Sequence, residues 1–312
     1  MMKAIEITAL MTVLLAASIM TASCAPAVHV APAGHVAPAG HVVFEQAPVI
    51  DSRTFLGESE LLRGVSEETW ASFGLTGAAP GPAEVKCVVV PHHAAACALA
   101  AKSISTLASG DPPVVIVLAP NHYNTGAPAL SALCDFQCYG SKIQTDAEAV
   151  KRLSGAGLVS LSDEVFLKEH SVGALLPVIA WYLPDAKVIP VIFHHGYGDD
   201  KILEIIEALK PEIDAGAAII ASIDFSHYLP MELAEEKDRE MRIFLENGDR
   251  DTIKKLDSSY IDAPTILTAL MERFGAENME ITANTNSGAL MQNPVMPCTS
   301  YFSIAFRAGL AD

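Results

Sequence analysis

Four short, almost uninterrupted apolar runs punctuate this chain. They are Cys87-Val-Val-Val90, Val114-Val-Ile-Val-Leu118, Lys187-Val-Ile-Pro-Val-Ile-Phe193 and Ala218-Ile-Ile-Ala-Ser222. They do not alternate apolar and polar, as a strand with one wet face does, so each reads as a strand buried on both faces. Helical spacing takes over between them. An Ala-rich helix is expected over Ala94–Leu107, and others over Thr145–Leu153, His170–Leu183, Lys201–Leu209, Ala234–Asn247 and Pro264–Phe274. The His170–Leu183 stretch is apolar at Val172, Leu175, Leu176, Ile179 and Ala180 and stops at Pro184. Met279–Thr282 and Tyr301–Phe306 read as closing strands. Strands alternating with helices predict an α/β fold, with a mostly parallel central sheet flanked by helices.

The first 43 residues belong to none of this. Residues 1–23 read as a signal peptide: Lys3 precedes the apolar stretch Ala9–Met20, which is shorter than the ~20 residues of a membrane span. Thr21-Ala-Ser-Cys24 resembles a bacterial lipobox, in which Cys24 would be acylated. A cell-envelope lipoprotein is therefore expected, with plain cleavage to a secreted or periplasmic form, or an uncleaved anchor, as the alternatives. Residues 24–43 form a linker with the repeat His29-Val-Ala-Pro-Ala-Gly34, His35-Val-Ala-Pro-Ala-Gly40. Pro and Gly at this density build a tether rather than a core. Its histidines, His29, His35 and His41, either collect metal or simply sit in a spacer. Residues 44–312 follow as one domain. They open with an entry segment that carries an expected helix at Ser66–Phe73 and breaks at Gly77-Ala-Ala-Pro-Gly-Pro82.

Composition narrows the partners. The 312 residues are 51% hydrophobic with a net charge of −17, so no basic patch is available to neutralise phosphates and nucleic acid is excluded as a partner. Mean hydropathy is +0.32, which strands buried on both faces explain. None of the six cysteines is paired at CxxC spacing, which argues against a zinc knuckle. Export would permit a Cys134–Cys138 disulfide, whereas Cys87 begins an apolar strand and reads as a buried thiol.

Chemistry concentrates where the apolar runs end. Pro91-His92-His93 follows the first run, Asn121-His122 the second and Asp224-Phe-Ser-His227 the last. Ligands of open α/β sheets bind beyond the carboxyl ends of the strands. Imidazoles and a carboxylate are thus expected in one crevice, as a metal or acid–base site. Asp224 and His227 sit three apart in a tight turn, where the carboxylate is placed to orient the imidazole; the alternative is an Asp helix cap beside a surface histidine. Glu169-His170-Ser171 opens a helix, either as capping chemistry or with His170 at the crevice. His194-His195 also follows a strand, one residue toward the pocket and the other toward solvent. Asn121 reads as the holder of its turn. GxSxG, P-loop and GxGxxG patterns are all absent.

Pro91-His92-His93, Leu118-Ala-Pro-Asn-His122, Glu169-His-Ser171, Leu176-Pro177, Val188-Ile-Pro-Val191 and Ser222-Ile-Asp-Phe-Ser-His-Tyr228 occur in the order of the Memo family. In bacteria and archaea the family is called AmmeMemoRadiSam system protein B. The resemblance spans about Lys86 to Phe306 and implies a fold like that of class III extradiol dioxygenases. Memo proteins hold copper or iron with two histidines and a cysteine. His92 and His122 match those histidines, and Asp224 and His227 match an Asp-Phe-x-His motif in which His227 takes the acid–base place. The family's Cys-Gly stands here as Asp262-Ala263, with Tyr260 as the alternative register. Two histidines and Asp262 make a harder set than a thiolate site, favouring Fe(II), with Mn, Zn or Cu as alternatives. The glycine and tyrosine that often follow the first histidine motif are replaced by Ala94-Ala95-Ala96. The resemblance leaves three functions open: dioxygenase-like redox chemistry on a small molecule, a non-catalytic module binding metal or a peptide or protein partner, and a metal-dependent hydrolase.

Overall fold

The computed structural model describes residues 49–51, 85–138 and 141–307. The expected signal peptide, the expected linker and the expected helix Ser66–Phe73 lie outside the described residues. The strands are β1 (Val49–Asp51), β2 (Val85–Val90), β3 (Val114–Pro120), β4 (Ala129–Ser131), β5 (Asp135–Cys138), β6 (Ser141–Ile143), β7 (Ser160–Leu161), β8 (Lys187–Phe193), β9 (Ala218–Ser222), β10 (Met279–Asn286) and β11 (Ser300–Arg307). Eight of them form a sheet of order β10-β11-β2-β9-β3-β8-β4-β7, and β1, β5 and β6 form a second, smaller sheet. The centre of the large sheet, β2-β9-β3-β8, is parallel throughout. β10 and β11 close one edge antiparallel. The principal helices are α1 (Cys97–Ser105), α2 (Ala147–Gly155), α3 (His170–Gly173), α4 (Leu176–Tyr182), α5 (Asp199–Ala208), α6 (Met231–Glu246) and α7 (Pro264–Phe274). Among the described residues no helix is long and apolar enough to cross a membrane.

The apolar runs are continuous because both faces of the sheet are covered. Val89, Ile116, Leu118, Ile189 and Ile219 pack on one side with Ile202 and Ile205 of α5 and Leu267 of α7. Val88, Val90, Val115, Val117 and Ile220 face the other way, onto Ala101 and Ile104 of α1 and Ile179 of α4. Neighbouring strand residues therefore go to opposite cores and both must be apolar.

Three expectations change. The helix expected over His170–Leu183 is two helices, α3 and α4. Pro177 lacks the N–H that would bond back into the preceding turn and sits instead in the first turn of α4, where none is required. The strand expected at Met279–Thr282 runs on to Asn286, half-buried along the sheet edge. The Cys134–Cys138 disulfide does not form: Cys134 is a free, buried thiol.

β9 lies inside the parallel sheet, and its side chains alternate between the two cores. Ile219→Ala is expected to cost about 2–5 kcal/mol by chemical denaturation, the range for a buried aliphatic truncation. Ile243→Ala, on the 55% exposed face of α6, is expected to stay within about 0.5 kcal/mol.

Candidate functional site

Pairing alone brings three strand ends together. β2 and β9 run in register from Cys87↔Ile219 to Val90↔Ser222, and β3 runs along the other side of β9 to Leu118↔Ala221. The chain leaving β9 therefore emerges between His92 and His122, and Asp224 arrives there. Pro91 follows β2, and Pro120 is the last residue of β3. Asp262 comes from far along the chain. Its loop pairs Ile261 with Phe225 in an isolated antiparallel bridge, and Asp262 N–H donates to Asp224 O (3.1 Å).

The two strand-end imidazoles are oriented by hydrogen bonds behind them. Glu169 is fully buried; its Oε1 lies 2.8 Å from His122 Nδ1, and its Oε2 accepts the His122 backbone N–H (2.8 Å). An ionised carboxylate only accepts, so His122 carries its proton on Nδ1 and leaves the Nε2 lone pair free. Ser222 Oγ donates to Ser171 O (2.6 Å) and lies 3.0 Å from His92 Nδ1. Having spent its proton, that hydroxyl accepts from Nδ1–H, and His92 Nε2 is free as well. Both lone pairs point at one oxygen: Asp262 Oδ2 is 3.6 Å from His92 Nε2 and 3.9 Å from His122 Nε2.

Asp262 is 6% exposed, and neither of its carboxylate oxygens has a hydrogen-bond partner among the described residues. Burial and the neighbouring Asp224 carboxylate push its pKa well above the ordinary range. Burial, with His122 and His170 nearby, holds His92 well below the usual imidazole value. Burial likewise raises Asp224, whose Oδ1 accepts the His92 backbone N–H (3.1 Å). The Asp262 carboxyl and the Nε2 atoms of His92 and His122 thus meet at the mouth of the crevice.

His170 joins this group. Its ring stacks on His122 with centroids 4.3 Å apart, and one nitrogen from each of His92, His122 and His170 lies within 4.8 Å of the others. Glu169 caps α3 through the Ser171 N–H (2.9 Å), and Ser171 Oγ ties that turn to Pro120 O (2.8 Å). Ser171 is thus not the cap. His227 follows the β9 exit half-buried, its Nδ1 enclosed without a hydrogen-bond partner. Burial lowers its pKa against the pull of Asp224. Asp224 caps no helix, and its hydrogen bond goes to the His92 backbone rather than to the His227 ring. His93 turns away to the hydroxyl of Tyr301. His194 and His195 border a cleft that runs past Asp262 to Pro264 and Thr265 at the start of α7; His195 is exposed and His194 half-buried. Asn121 holds the turn through Thr125. Tyr260 bonds to Glu240 instead of reaching the crevice.

The partners sequence reasoning missed are Glu169, as a bond to His122, and Ser222. A Glu-His-Ser cap signals the helix start, but nothing in the spacing signals a contact 47 residues away. Burial alone would raise Glu169, yet the His122 hydrogen bond and charge, with the Ser171 N–H, pull it down to about 2. A depressed carboxyl stabilises the fold above its unfolded pKa, and that contribution is lost as pH falls through about 2. Glu169→Gln puts an amide N–H against either the His122 ring or its backbone N–H. It is expected to weaken divalent-metal binding about 10–100-fold, as loss of such a partner does, measured by competition with a chromophoric chelator.

Comparison with known proteins gives the family. A family model described as "Memo-like protein" matches residues 59–292. A MEMO1 family protein of Methanopyrus kandleri is 27% identical, covering 85% of this chain and 100% of its own. Another, from Pyrobaculum aerophilum, is 31% identical over 57% of this chain and 67% of its own. A crystal structure of an uncharacterized protein from Escherichia coli K12 aligns with TM-score 0.46 and 11% identity, over 70% of this chain and 99% of its own. With three-quarters of its length matched by one family model, the chain belongs to the Memo family.

Proposed function

We propose that this chain is an exported, lipid-anchored Memo-family metalloprotein. In this reading a divalent ion, Fe(II) by preference and otherwise Mn, Zn or Cu, sits at His92, His122 and Asp262, with His170 beside them. One observation carries it: a buried carboxylate with two orphaned oxygens faces two Nε2 lone pairs fixed by Glu169 and Ser222. Orphaned buried charge is costly, and coordination is its usual relief. Imidazole and carboxylate without thiolate suit the harder divalent ions.

A bound ion of this kind supplies a Lewis-acid and redox centre at the crevice. Around it, the chain's own residues do the rest. Asp224 holds the His92 backbone in place, His227 stays neutral and can take a proton, and His170 walls one side of His122. This supports redox chemistry on a small molecule, in the manner of the dioxygenases the family resembles. Export and acylation of Cys24 rest on the lipobox-like Thr21-Ala-Ser-Cys24.

The chelated protein, reloaded anaerobically with each metal in turn, tests the site. Fe(II) is expected to bind more tightly than Cu(I), at one ion per chain, and Asp262→Ala to weaken it. Tightest binding of Cu(I), untouched by Asp262→Ala, would sink the hard-ligand assignment. Burial and the Asp224 carboxylate raise the Asp262 pKa, and coordination needs that carboxyl ionised, so binding is expected to displace the proton this rise favours. Affinity should fall as pH drops. Calorimetry in buffers of different ionisation enthalpy reads that proton. Oxygen uptake with catechols supports redox chemistry; binding without turnover points to the non-catalytic module; ester or amide cleavage halted by chelation points to the hydrolase.

A further inference from the structure

α6 carries one buried acid. Asp238 is 6% exposed, and its neighbour Arg242 pairs with Glu246. Asp238 Oδ1 accepts from Ser300 Oγ (2.6 Å) and Oδ2 from Asn284 Nδ2 (2.8 Å). Having donated its only proton, Ser300 Oγ turns lone pairs to the chain beyond β9. It accepts the Ser226 N–H (3.1 Å) and lies 3.0 Å from Ser226 Oγ, whose proton it takes. The backbone doubles this stitch: Phe225 N–H donates to Ser300 O (2.9 Å) and Ser300 N–H to Ser226 O (2.8 Å). Further along, Leu229 and Cys298 exchange both backbone bonds. His227 and Tyr228 bulge between these two anchor points. Tyr228 has φ +56° and is 82% exposed, an uncommon conformation for a bulky residue that persists only where its surroundings enforce it.

We infer that Asp238 is a positioning residue for the crevice. Through Ser300 and Ser226 it fixes the 224–228 turn, which presents Asp224 and His227 and carries Tyr228 at positive φ. This rests on the proposed reading of the crevice as the site of chemistry. The direction of the relay follows from proton count. An ionised carboxylate can only accept, so Ser300 must donate to it and must accept from the turn. Burial pushes Asp238 up to about 6, with Glu235 adding to the rise and Ser300, Asn284 and Arg242 opposing it; the hydrogen bonds therefore help hold the charge that orders them.

The test is donor–acceptor inversion in the full chain, read at His227 by histidine-ring NMR without metal. Asp238→Asn sets an amide NH2 against the Asn284 NH2. The turn should loosen, His227 should gain water, and its titration midpoint should rise by about half a pH unit toward the ordinary value of about 6.5. Asn284→Ala removes the other Asp238 contact but leaves the Ser300–Ser226 link whole, and is expected to leave the His227 midpoint close to wild type. An unmoved His227 in Asp238→Asn overturns the inference. So does an equal shift in Asn284→Ala, since that marks general loosening. If Asp238→Asn does not fold, Ser300→Ala cuts the same link and must move His227 alike; an unmoved signal there is equally fatal. Metal affinity, measured in parallel, separates the two claims. A wild-type chain that binds no divalent ion defeats the metal reading, while the His227 result still decides the role of Asp238.

Discussion

A carboxylate sealed from water with nothing to accept is the constraint around which this crevice is organised. Asp262 has Asp224 as a neighbour and two imidazoles in front of it. Two acids side by side disfavour each other's ionisation, and a buried, unpaired charge disfavours folding. Four physical escapes exist: protonation, a hydrogen-bond donor, a cationic side chain or a bound cation. No described donor reaches Asp262, and the described ion pairs bring it only histidines. Protonation and, on the proposed reading, coordination of a cation are what remain, each in exchange for the other.

The rest of the site reads as provision for that exchange. A ligand must present a lone pair without paying to reorient, so each imidazole is clamped from behind. Glu169 does this for His122 with a carboxylate, and Ser222 does it for His92 with a hydroxyl already committed to Ser171. Ser171 also bonds Pro120, so one short helix start is fastened to the exits of both β3 and β9. The clamps are thereby tied to the rigid parallel centre of the sheet, which holds a constellation more precisely than a free loop can.

How much of this was legible varies with range along the chain. The central strands were plain, because burial on both faces leaves long apolar runs. His92 and His122 followed from the rule that parallel strands aim their carboxyl ends at one crevice. Short strands such as β4 and β7 were not legible, since two or three residues carry no period. Nor was the split at Pro177, because apolar spacing continues across it and only the missing N–H marks the break. Asp262 was reached only through family resemblance. Its loop arrives by a single bridge between Phe225 and Ile261, and no local pattern encodes a partner that distant.

The same contrast separates the two halves of the chemistry. The His92 and His122 positions are set by strand register, which the whole sheet shares. The 224–228 turn lies beyond the end of β9 at Ser222 and is held instead by Phe225 and Ser226 against Ser300 and by Leu229 against Cys298. A residue that must meet substrate or move a proton cannot be buried in the ladder. It needs a turn, and a turn carrying Tyr228 at positive φ needs bracing from outside. β11 supplies that brace through Ser300, and α6 supplies the charge that gives the hydroxyl its direction. The antiparallel edge of the sheet, which contributes none of the proposed ligands, thus does for the turn what parallel pairing does for the strand ends.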